Sequence, residues 1–267
     1  MTTTIATANV NGVRAASKKG IVEWLADTDA DLVLLQEVRA ERDQIPAAAL
    51  ESGGWHWHTA PSRVAKGRAG VALLTREDDV EARVGFQSDE FDTAGRYIEI
   101  DHGPVTVGSL YLPSGETGTP RQEEKYRFLD EFGAYLRAKK KEVEAEGRHF
   151  VVGGDWNIAP KEADLKNWKN NKKTSGFLPE ERAWVEALKT EAGFTDPFRE
   201  LHPDQDGPYS WWSYRGKAFD NDAGWRIDYQ LATPGLGAKA LSARVDRAES
   251  YDTRWSDHAP VVIAYDI

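Results

Sequence analysis

The chain has 267 residues, 40% of them hydrophobic, so it is long enough to bury the core of one large α/β or sandwich domain, or of two small domains. It contains no cysteine, which excludes disulfides and thiolate metal sites and leaves carboxylates, amides and histidines as ligands for any metal ion. The net charge of −10 argues against nonspecific nucleic-acid binding by the whole surface.

Hydrophobic periodicity predicts strands and helices in alternation along the chain. Strands are predicted at Thr4–Asn9, Leu32–Leu35, Trp55–Ala60, Ala69–Thr75, Tyr97–Asp101, Val105–Leu112, Arg148–Asp155, Tyr209–Tyr214, Arg226–Ala232, Ala240–Val245 and Ala259–Tyr265. Helices are predicted at Arg14–Asp27, Gln122–Glu146 and Glu180–Ala192. Because no linker, repeat or charge block divides the chain, residues 1–267 are expected to form a single domain.

The N-terminal residues lack the basic region and apolar core of an export signal. No run of about 18 apolar residues predicts a membrane helix. We therefore expect a cytoplasmic protein that makes no membrane contact, and the absence of cysteine is compatible with that reducing compartment. Nothing in the sequence indicates an extended self-association surface, so a monomer is expected.

Polar side chains gather where the predicted strands begin or end. In Val151–Pro160, an apolar run passes two glycines and then delivers Asp155 and Asn157 into a turn. The same arrangement recurs at Asn9 and Asn11, at Glu37, and at Asp257 and His258. Side chains two residues apart at a strand end point the same way, so these groups are candidates for one site.

Asp228 lies inside an otherwise apolar run, where a carboxylate needs a partner because an unpaired buried charge is costly. His258 is the histidine next to an acidic residue at a strand start, and a pair between the two side chains would fix the imidazole tautomer and raise its basicity. Each residue alone has a plainer interpretation, such as a structural histidine, a solvated carboxylate or an Asx-turn. Together they favour a crevice site at one edge of the sheets.

The residue types in this set suit phosphate chemistry. Carboxylates and amides fit a magnesium ion on Glu37, with Asp257 and Asn11 nearby and manganese as a substitute. Asp155 is a candidate general base on water, and Asn157 can orient the water or the phosphate. His258 and Tyr111 are candidate donors to charge that develops on the phosphate. A serine-hydrolase elbow and a P-loop are both absent from the sequence.

Six motifs in this order resemble the exonuclease III family of AP endonucleases, within the endonuclease/exonuclease/phosphatase superfamily. They are Asn9-Val10-Asn11-Gly12-Val13-Arg14, Leu35-Gln36-Glu37, Ser109-Leu110-Tyr111-Leu112-Pro113, Gly154-Asp155-Trp156-Asn157, Gly224-Trp225-Arg226-Ile227-Asp228-Tyr229 and Ser256-Asp257-His258. The resemblance covers the chain from Ile5 to Ile263. It implies a four-layer α/β sandwich, in which two face-to-face mixed β-sheets are flanked by helices.

The resemblance also implies an activity and roles for single residues. The implied enzyme is a magnesium-dependent phosphodiesterase that cuts duplex DNA 5′ of abasic sites, leaves a 3′-hydroxyl and degrades 3′ ends. Carried over by position, Glu37 is the metal ligand, Asn11 and Asp257 support the metal, and Asp155 handles the water. The remaining catalytic positions are Asn157, His258 with Asp228, Tyr111 and Asn9.

The acidic chain carries basic segments that suit a phosphate-bearing ligand. Lys161–Lys173 contains five lysines against Glu162 and Asp164, a local charge of +3 (5 − 2), and Arg63, Lys66 and Arg68 form a second basic loop. The resemblance implies that the DNA backbone is held by Lys66, Arg68, Asn171, Lys172 and Lys173. It further implies that Trp211, Trp225 and Ile227 form an apolar pocket that receives a flipped abasic sugar.

Two other interpretations remain. A phosphatase of the same superfamily would act on phospholipids or inositol phosphates, and the pocket tryptophans and the basic loop argue against it. A DNA-binding or scaffold protein that has lost catalysis is the other, and the complete set of acidic and histidine residues argues against that. The sequence does not set the balance between the two nuclease activities, the number of metal ions, or activity on oxidised bases or RNA–DNA hybrids.

Overall fold

Two β-sheets form the centre of the molecule in a computed structural model that describes residues 2–267. The strands are β1 (Thr2–Asn9), β2 (Leu32–Gln36), β3 (His56–Ala60), β4 (Val71–Thr75), β5 (Ala82–Val84), β6 (Tyr97–His102), β7 (Val105–Tyr111), β8 (His149–Asp155), β9 (Asp228–Ala232), β10 (Ala240–Val245) and β11 (Val261–Asp266). One sheet has the order β10-β11-β1-β2-β4-β3 and the other β5-β6-β7-β8-β9. Both are mixed, since β1 pairs parallel with β2 and β7 parallel with β8.

Helices lie on the outer faces of both sheets. They are α1 (Val13–Ala16), α2 (Ile21–Asp27), α3 (Ala47–Glu51), α4 (Pro120–Ala145), α5 (Trp168–Asn171), α6 (Pro179–Thr190), α7 (Pro197–Leu201) and α8 (Pro234–Gly237). Three single 3-10 turns occur at Arg42–Gln44, Ser52–Gly54 and Glu162–Asp164. None of the helices in residues 2–267 combines the length and the apolar composition that a membrane span requires.

Three apolar layers hold this arrangement together. Ile5, Leu34, Val107 and Val151 belong to the core between the two sheets. A second core joins the outer face of the six-stranded sheet to α1, α2 and α3, and a third joins the other sheet to α4 and α6. The order helix, sheet, sheet, helix is the four-layer sandwich that the sequence predicts, and the prediction is confirmed.

The long helix α4 begins and stays in place for local reasons. Thr119 caps its N-terminus by accepting a hydrogen bond from the Arg121 amide, and Pro120 occupies the first helical position, where its missing amide hydrogen costs nothing. Leu129, Phe132 and Leu136 of the predicted stripe are buried, while Tyr126 is only partly covered at its edge. The helix therefore packs firmly on the five-stranded sheet.

Two predicted elements are wrong. The helix predicted at Arg14–Asp27 is two helices, α1 and α2, because the chain leaves helical geometry at Gly20, where φ is +126°. The strand predicted at Tyr209–Tyr214 is absent; the segment makes only isolated bridges from Trp211 to Trp225 and to His258. Tyr209 and Trp212 are buried among loops, and the sequence pattern alone does not distinguish such burial from that of a strand.

Strand direction brings the polar groups to one edge of the sandwich. The parallel pairs β1–β2 and β7–β8 each end at this edge. In the antiparallel pair β8–β9, Asp155 at the end of one strand is in register with Asp228 at the start of the other. The residues before β11 lie there too, because β11 runs antiparallel to β1.

Candidate active site

Asn9 connects the two sheets at this edge. Its side-chain Nδ2 donates to Glu37 Oε1 at 2.9 Å and to Asp155 Oδ2 at 2.8 Å. The hydroxyl of Ser256 donates to the Asn9 carbonyl at 2.7 Å, so the residues before β11 are tied to the same point. One buried amide thus sets the position of two carboxylates that lie 118 residues apart in sequence (155 − 37).

Asp228 and His258 form the pair that the sequence predicts. His258 Nδ1 donates to Asp228 Oδ2 at 2.8 Å, which leaves Nε2 facing Asp155 Oδ2 at 3.9 Å. The Ser210 hydroxyl donates to the same Asp228 oxygen at 2.6 Å. These contacts fix the orientation of the imidazole ring.

Burial and charge change the proton affinities in this cluster. Burial raises the pKa of Asp155 to about 8, and the neighbouring Asp228 carboxylate adds to the effect while His258 opposes it. Burial alone would lower the pKa of His258, but the charge and hydrogen bond of Asp228 outweigh it, and the pKa is raised to about 10. Burial also raises the pKa of Tyr111, so its hydroxyl keeps its proton and stays a donor.

A cavity of about 740 Å³ opens onto this cluster. Its lining includes the polar residues Glu37, Tyr111, Asp155, Asn157 and His258 and an apolar wall. That apolar wall is Trp211, Trp225 and Ile227, with the two indole ring centroids 6.2 Å apart and nearly perpendicular. The cavity thus combines charged and amide groups with apolar side chains, as small-ligand sites generally do.

Two groups of side chains are able to hold a metal ion. Glu37, Asn11 and Asp257 line the cavity with oxygen donors, and Asn11 Nδ2 donates to Asp257 Oδ1 at 2.8 Å. In the second group, ligand atoms of Asp155, Asp228 and His258 lie within 4.8 Å of one another. His258 is the weaker ligand, because a protonated imidazole has no free lone pair. An all-oxygen set is the donor chemistry of a hard divalent cation.

Three of the predicted site residues have left-handed backbone conformations. The φ angles are +46° at Asn11, +50° at Glu37 and +50° at Asn157. This region is unfavourable for residues other than glycine, and such strain persists at sites that the surrounding structure over-determines. Hydrogen bonds to each residue supply that constraint; for example, the Asn157 amide donates to Asp155 Oδ1 at 2.9 Å.

The predicted DNA-contacting residues divide into two groups. Lys173 lines the cavity beside Trp211 and Trp225. Arg68 lies in a neighbouring cleft that also contains Glu37 and Tyr111, and Lys66 lies behind it. Asn171 and Lys172 do not line the cavity; Lys172 instead stacks over the Trp168 ring at 4.7 Å.

Sequence reasoning missed three polar residues that support the site. Ser210 holds Asp228, Arg39 pairs with Glu37, and the Arg96 guanidinium lies 4.9 Å from the centre of the Tyr111 ring. Arg39 follows Glu37 by two residues, and that spacing at a strand end was a usable signal. Ser210 and Arg96 carry no sequence signal, because only the fold brings them to the edge.

The sequence is similar to proteins of known function along nearly its whole length. The model of the Endonuclease/Exonuclease/phosphatase family matches residues 6–258. The exodeoxyribonuclease of Bacillus subtilis is 35% identical over 265 residues, which covers 97% of this chain and 98% of that protein. The zebrafish (Danio rerio) DNA repair nuclease APEX1 is 34% identical, covering 96% of this chain and 79% of that protein.

Solved structures agree with the fold. An AP endonuclease from Archaeoglobus fulgidus superimposes with a TM-score of 0.88 at 28% identity, covering 99% of this chain and all of that one (100%).

Proposed function

This chain belongs to the endonuclease/exonuclease/phosphatase family, in its exodeoxyribonuclease III branch, and we propose that it is a magnesium-dependent DNA-repair phosphodiesterase. It cuts duplex DNA 5′ of abasic sites to leave a 3′-hydroxyl and removes nucleotides from 3′ ends. The observation that supports this most is the cavity that Glu37, Asp155 and His258 line together with Trp211 and Trp225. The full-length similarity to a curated exodeoxyribonuclease supports the same reaction.

We assign the metal to Glu37, with Asn11 and Asp257 in support. Their oxygens line the cavity mouth, and magnesium prefers carboxylate and amide oxygens, with manganese as a possible substitute. A cation held by these residues would supply charge neutralisation at the scissile phosphate. The group of Asp155, Asp228 and His258 serves proton transfer instead. Asp228 already accepts hydrogen bonds from His258 and Ser210.

Asp155 takes the proton of the attacking water. Its Oδ2 accepts from the Asn9 side chain and its Oδ1 from the backbone N–H of Asn157, so the carboxylate is held in one orientation. The Asn157 Nδ2 donates to the Leu112 carbonyl at 2.8 Å, which leaves the amide oxygen as the acceptor that faces the cavity. This arrangement positions a water between a base and an orienting amide.

His258 and Tyr111 stabilise charge on the phosphate. The raised pKa of His258 keeps the imidazole protonated, and Asp228 prevents it from rotating. Both donors are in place before substrate binds, so the transition state requires little reorganisation.

The apolar wall selects the substrate. Trp211, Trp225 and Ile227 suit a flipped deoxyribose without a base, since an attached base would have to enter the same confined space. Lys66, Arg68, Asn171, Lys172 and Lys173 contact the backbone on either side. A structure of the 3′ phosphatase NExo from Neisseria bound to a product DNA hairpin, 30% identical with a TM-score of 0.87, supports a DNA partner.

We also infer that residues 1–267 act as one catalytic domain, since both sheets contribute to the site, and that the protein works as a monomer. The proposed location is the cytoplasm, where the DNA of a bacterium such as Bacillus subtilis lies. Gel filtration with light scattering tests the monomer, and cell fractionation tests the location.

The function is tested with labelled duplexes that contain either one abasic-site analogue or an undamaged recessed 3′ end. Incision at the analogue with magnesium, and none with chelator, is the expected result. The ratio of incision to end digestion measures which activity dominates. Failure to cut either duplex, combined with turnover of inositol phosphates or phospholipid headgroups, would overturn the repair function in favour of the phosphatase.

A further inference from the structure

A completely buried ion pair lies directly beneath the cavity. Lys125 of α4 and Glu181 of α6 approach to 2.8 Å, and both side chains have 0% of their surface exposed. Neither residue lines the cavity. Charged side chains are almost never fully buried unless they are paired, so the position of this pair calls for an explanation.

Lys125 uses its ammonium group to hold two backbone carbonyls beside the reaction centre. Its Nζ donates to the Asn157 carbonyl at 3.0 Å and to the Ser114 carbonyl at 3.3 Å, in addition to Glu181. The three donors of the ammonium group are therefore all used. Asn157 is one of the residues with a left-handed backbone, and Ser114 lies on the rim of the cavity.

Glu181 holds the opposite rim. Its Oε2 accepts from the amides of Gly176 at 2.6 Å and Leu178 at 3.1 Å, and its Oε1 lies 3.1 Å from the Ser175 hydroxyl oxygen. Ser175 and Gly176 line the cavity. The carboxylate thus fixes the turn that follows the basic segment Lys161–Lys173.

The two rims of the cavity, at Ser114–Gly115 and at Ser175–Gly176, approach each other beside the ion pair and leave almost no free space between them. A Cβ atom built on Gly115 would lie 2.5 Å from Ser175 Oγ and 2.9 Å from Lys125 Cδ. The Ser175 hydroxyl itself crosses the gap and donates to the Ser114 carbonyl at 2.8 Å. Any change in the ion pair would therefore move both rims and Asn157 together.

We propose that Lys125 and Glu181 are positioning residues for the hydrolysis, which clamp Asn157 and both rims of the cavity in the geometry that the reaction needs. This inference deepens the proposed function and depends on it for the role of Asn157. Stability alone does not account for the pair, because well-packed apolar residues of similar volume are commonly as stable as a buried ion pair, or more so. Holding several backbone and side-chain partners at fixed distances is a task that apolar residues cannot perform.

The test compares Lys125→Met with the double variant Lys125→Met/Glu181→Gln. The single variant leaves an unpaired buried carboxylate and is expected to lose thermal stability. The double variant removes both charges, so its stability is expected to recover, while the Asn157 and Ser114 carbonyls still lack their donor. A matched control is Lys139→Met, which removes another lysine of α4 that pairs with a buried glutamate, Glu99, at 3.3 Å outside the cavity.

Two measurements follow on these proteins. The first is kcat and KM on the abasic duplex at a temperature where all variants are folded. The clamp predicts that kcat of the double variant falls about 10- to 100-fold while KM changes less than about 3-fold, because small misplacements of positioned groups affect the chemical step most. The second is amide hydrogen exchange, in which Gly176 and Leu178 are expected to exchange faster than in the control.

The outcomes distinguish failure of the clamp from failure of the proposed nuclease function. Recovery of kcat together with stability in the double variant, or unchanged exchange at Gly176 and Leu178, would overturn the clamp. A wild-type protein that cuts no DNA would overturn the proposed function instead. In that case the exchange measurement alone decides whether the ion pair holds the rims.

Discussion

His258 Nε2 lies 3.9 Å from Asp155 Oδ2, while its Nδ1 donates to Asp228 at 2.8 Å. The imidazole therefore stands between two carboxylates, of which one fixes it and the other belongs to the proposed base. Because the ring lies close to both carboxyl groups, the protonation states of His258 and Asp155 are linked. The reaction should respond to pH and to changes at either carboxylate.

Removing the charge of Asp228 should move the alkaline limb of the pH–rate profile. The raised pKa of His258 means that the donor form is present below about 10 and is lost above it. In Asp228→Asn the main cause of that shift is gone, so the alkaline limb of kcat/KM should move to lower pH by about one to three units. The measurement is kcat/KM on the abasic duplex between pH 6 and 11, and an unmoved limb would show that another group titrates there.

Asp155→Asn should separate catalysis from binding. The amide cannot accept the proton of water, so kcat should fall by about 10²- to 10⁴-fold. Because the raised pKa of Asp155 leaves this carboxyl ionised only in part near neutral pH, removing its charge should leave DNA affinity unchanged or slightly higher. Single-turnover cleavage and fluorescence anisotropy on one duplex measure the two effects, and a collapse of binding would contradict the role given to Asp155.

Trp225→Ala should affect the two nuclease activities unequally. The indole forms one wall of the proposed sugar pocket, so its loss should lower kcat/KM on abasic duplex about tenfold or more. Digestion of undamaged 3′ ends should fall much less. Trp255→Ala is the control, since Trp255 packs against Trp24 with ring centroids 5.9 Å apart and does not line the cavity. Equal losses on both substrates would contradict the pocket.

Asp164→Asn should destabilise the fold and flatten its dependence on acid. Asp164 is fully buried and pairs with Arg226 at 2.7 Å and Arg199 at 2.5 Å. Burial would raise its pKa, but the two guanidinium groups lower it below 3.8, so the stabilisation is complete above about pH 4 and is lost as the pH falls below it. Urea unfolding at pH 7 should show a loss of about 3 kcal/mol.

The comparison protein for this experiment is Asp29→Asn. Asp29 is exposed and pairs with Arg244 at 2.6 Å, and such surface pairs contribute about 0–1 kcal/mol. If Asp164→Asn and Asp29→Asn unfold at the same urea concentration, the buried network around Arg226 does not stabilise the protein as stated.

Much of the fold was accessible from the sequence because strands covered on both faces are nearly continuous apolar runs. β2 and β4 are buried along their whole length, as β8 is from Phe150 onward, and the predicted bounds of all three lie within two residues of the observed ones. The error at Tyr209–Tyr214 has the opposite origin: Tyr209 and Trp212 are buried among loops, and burial of that kind has no periodic signature. The break at Gly20 was hidden because one glycine interrupts a helical pattern only weakly.

The pair of Asp228 and His258 was predictable from cost alone, since a carboxylate inside an apolar strand requires a partner. The bridge through Asn9 was not. An asparagine at a strand end has many uses, and nothing local indicates that its amide reaches carboxylates from two other strands. The ion pair of Lys125 and Glu181 was not predictable either, because the apolar stripe of α4 gives no indication that a lysine of the same helix is buried.

The amide bridge of Asn9 has a consequence for truncation and recombination of the chain. Glu37 belongs to one sheet and Asp155 to the other, and only the docked sandwich brings both within reach of the same nitrogen. A truncation that removes either sheet should therefore lose one of the two carboxylates and the amide contact that orients the other. A recombination point between the sheets would have to preserve their docking in order to preserve this bridge.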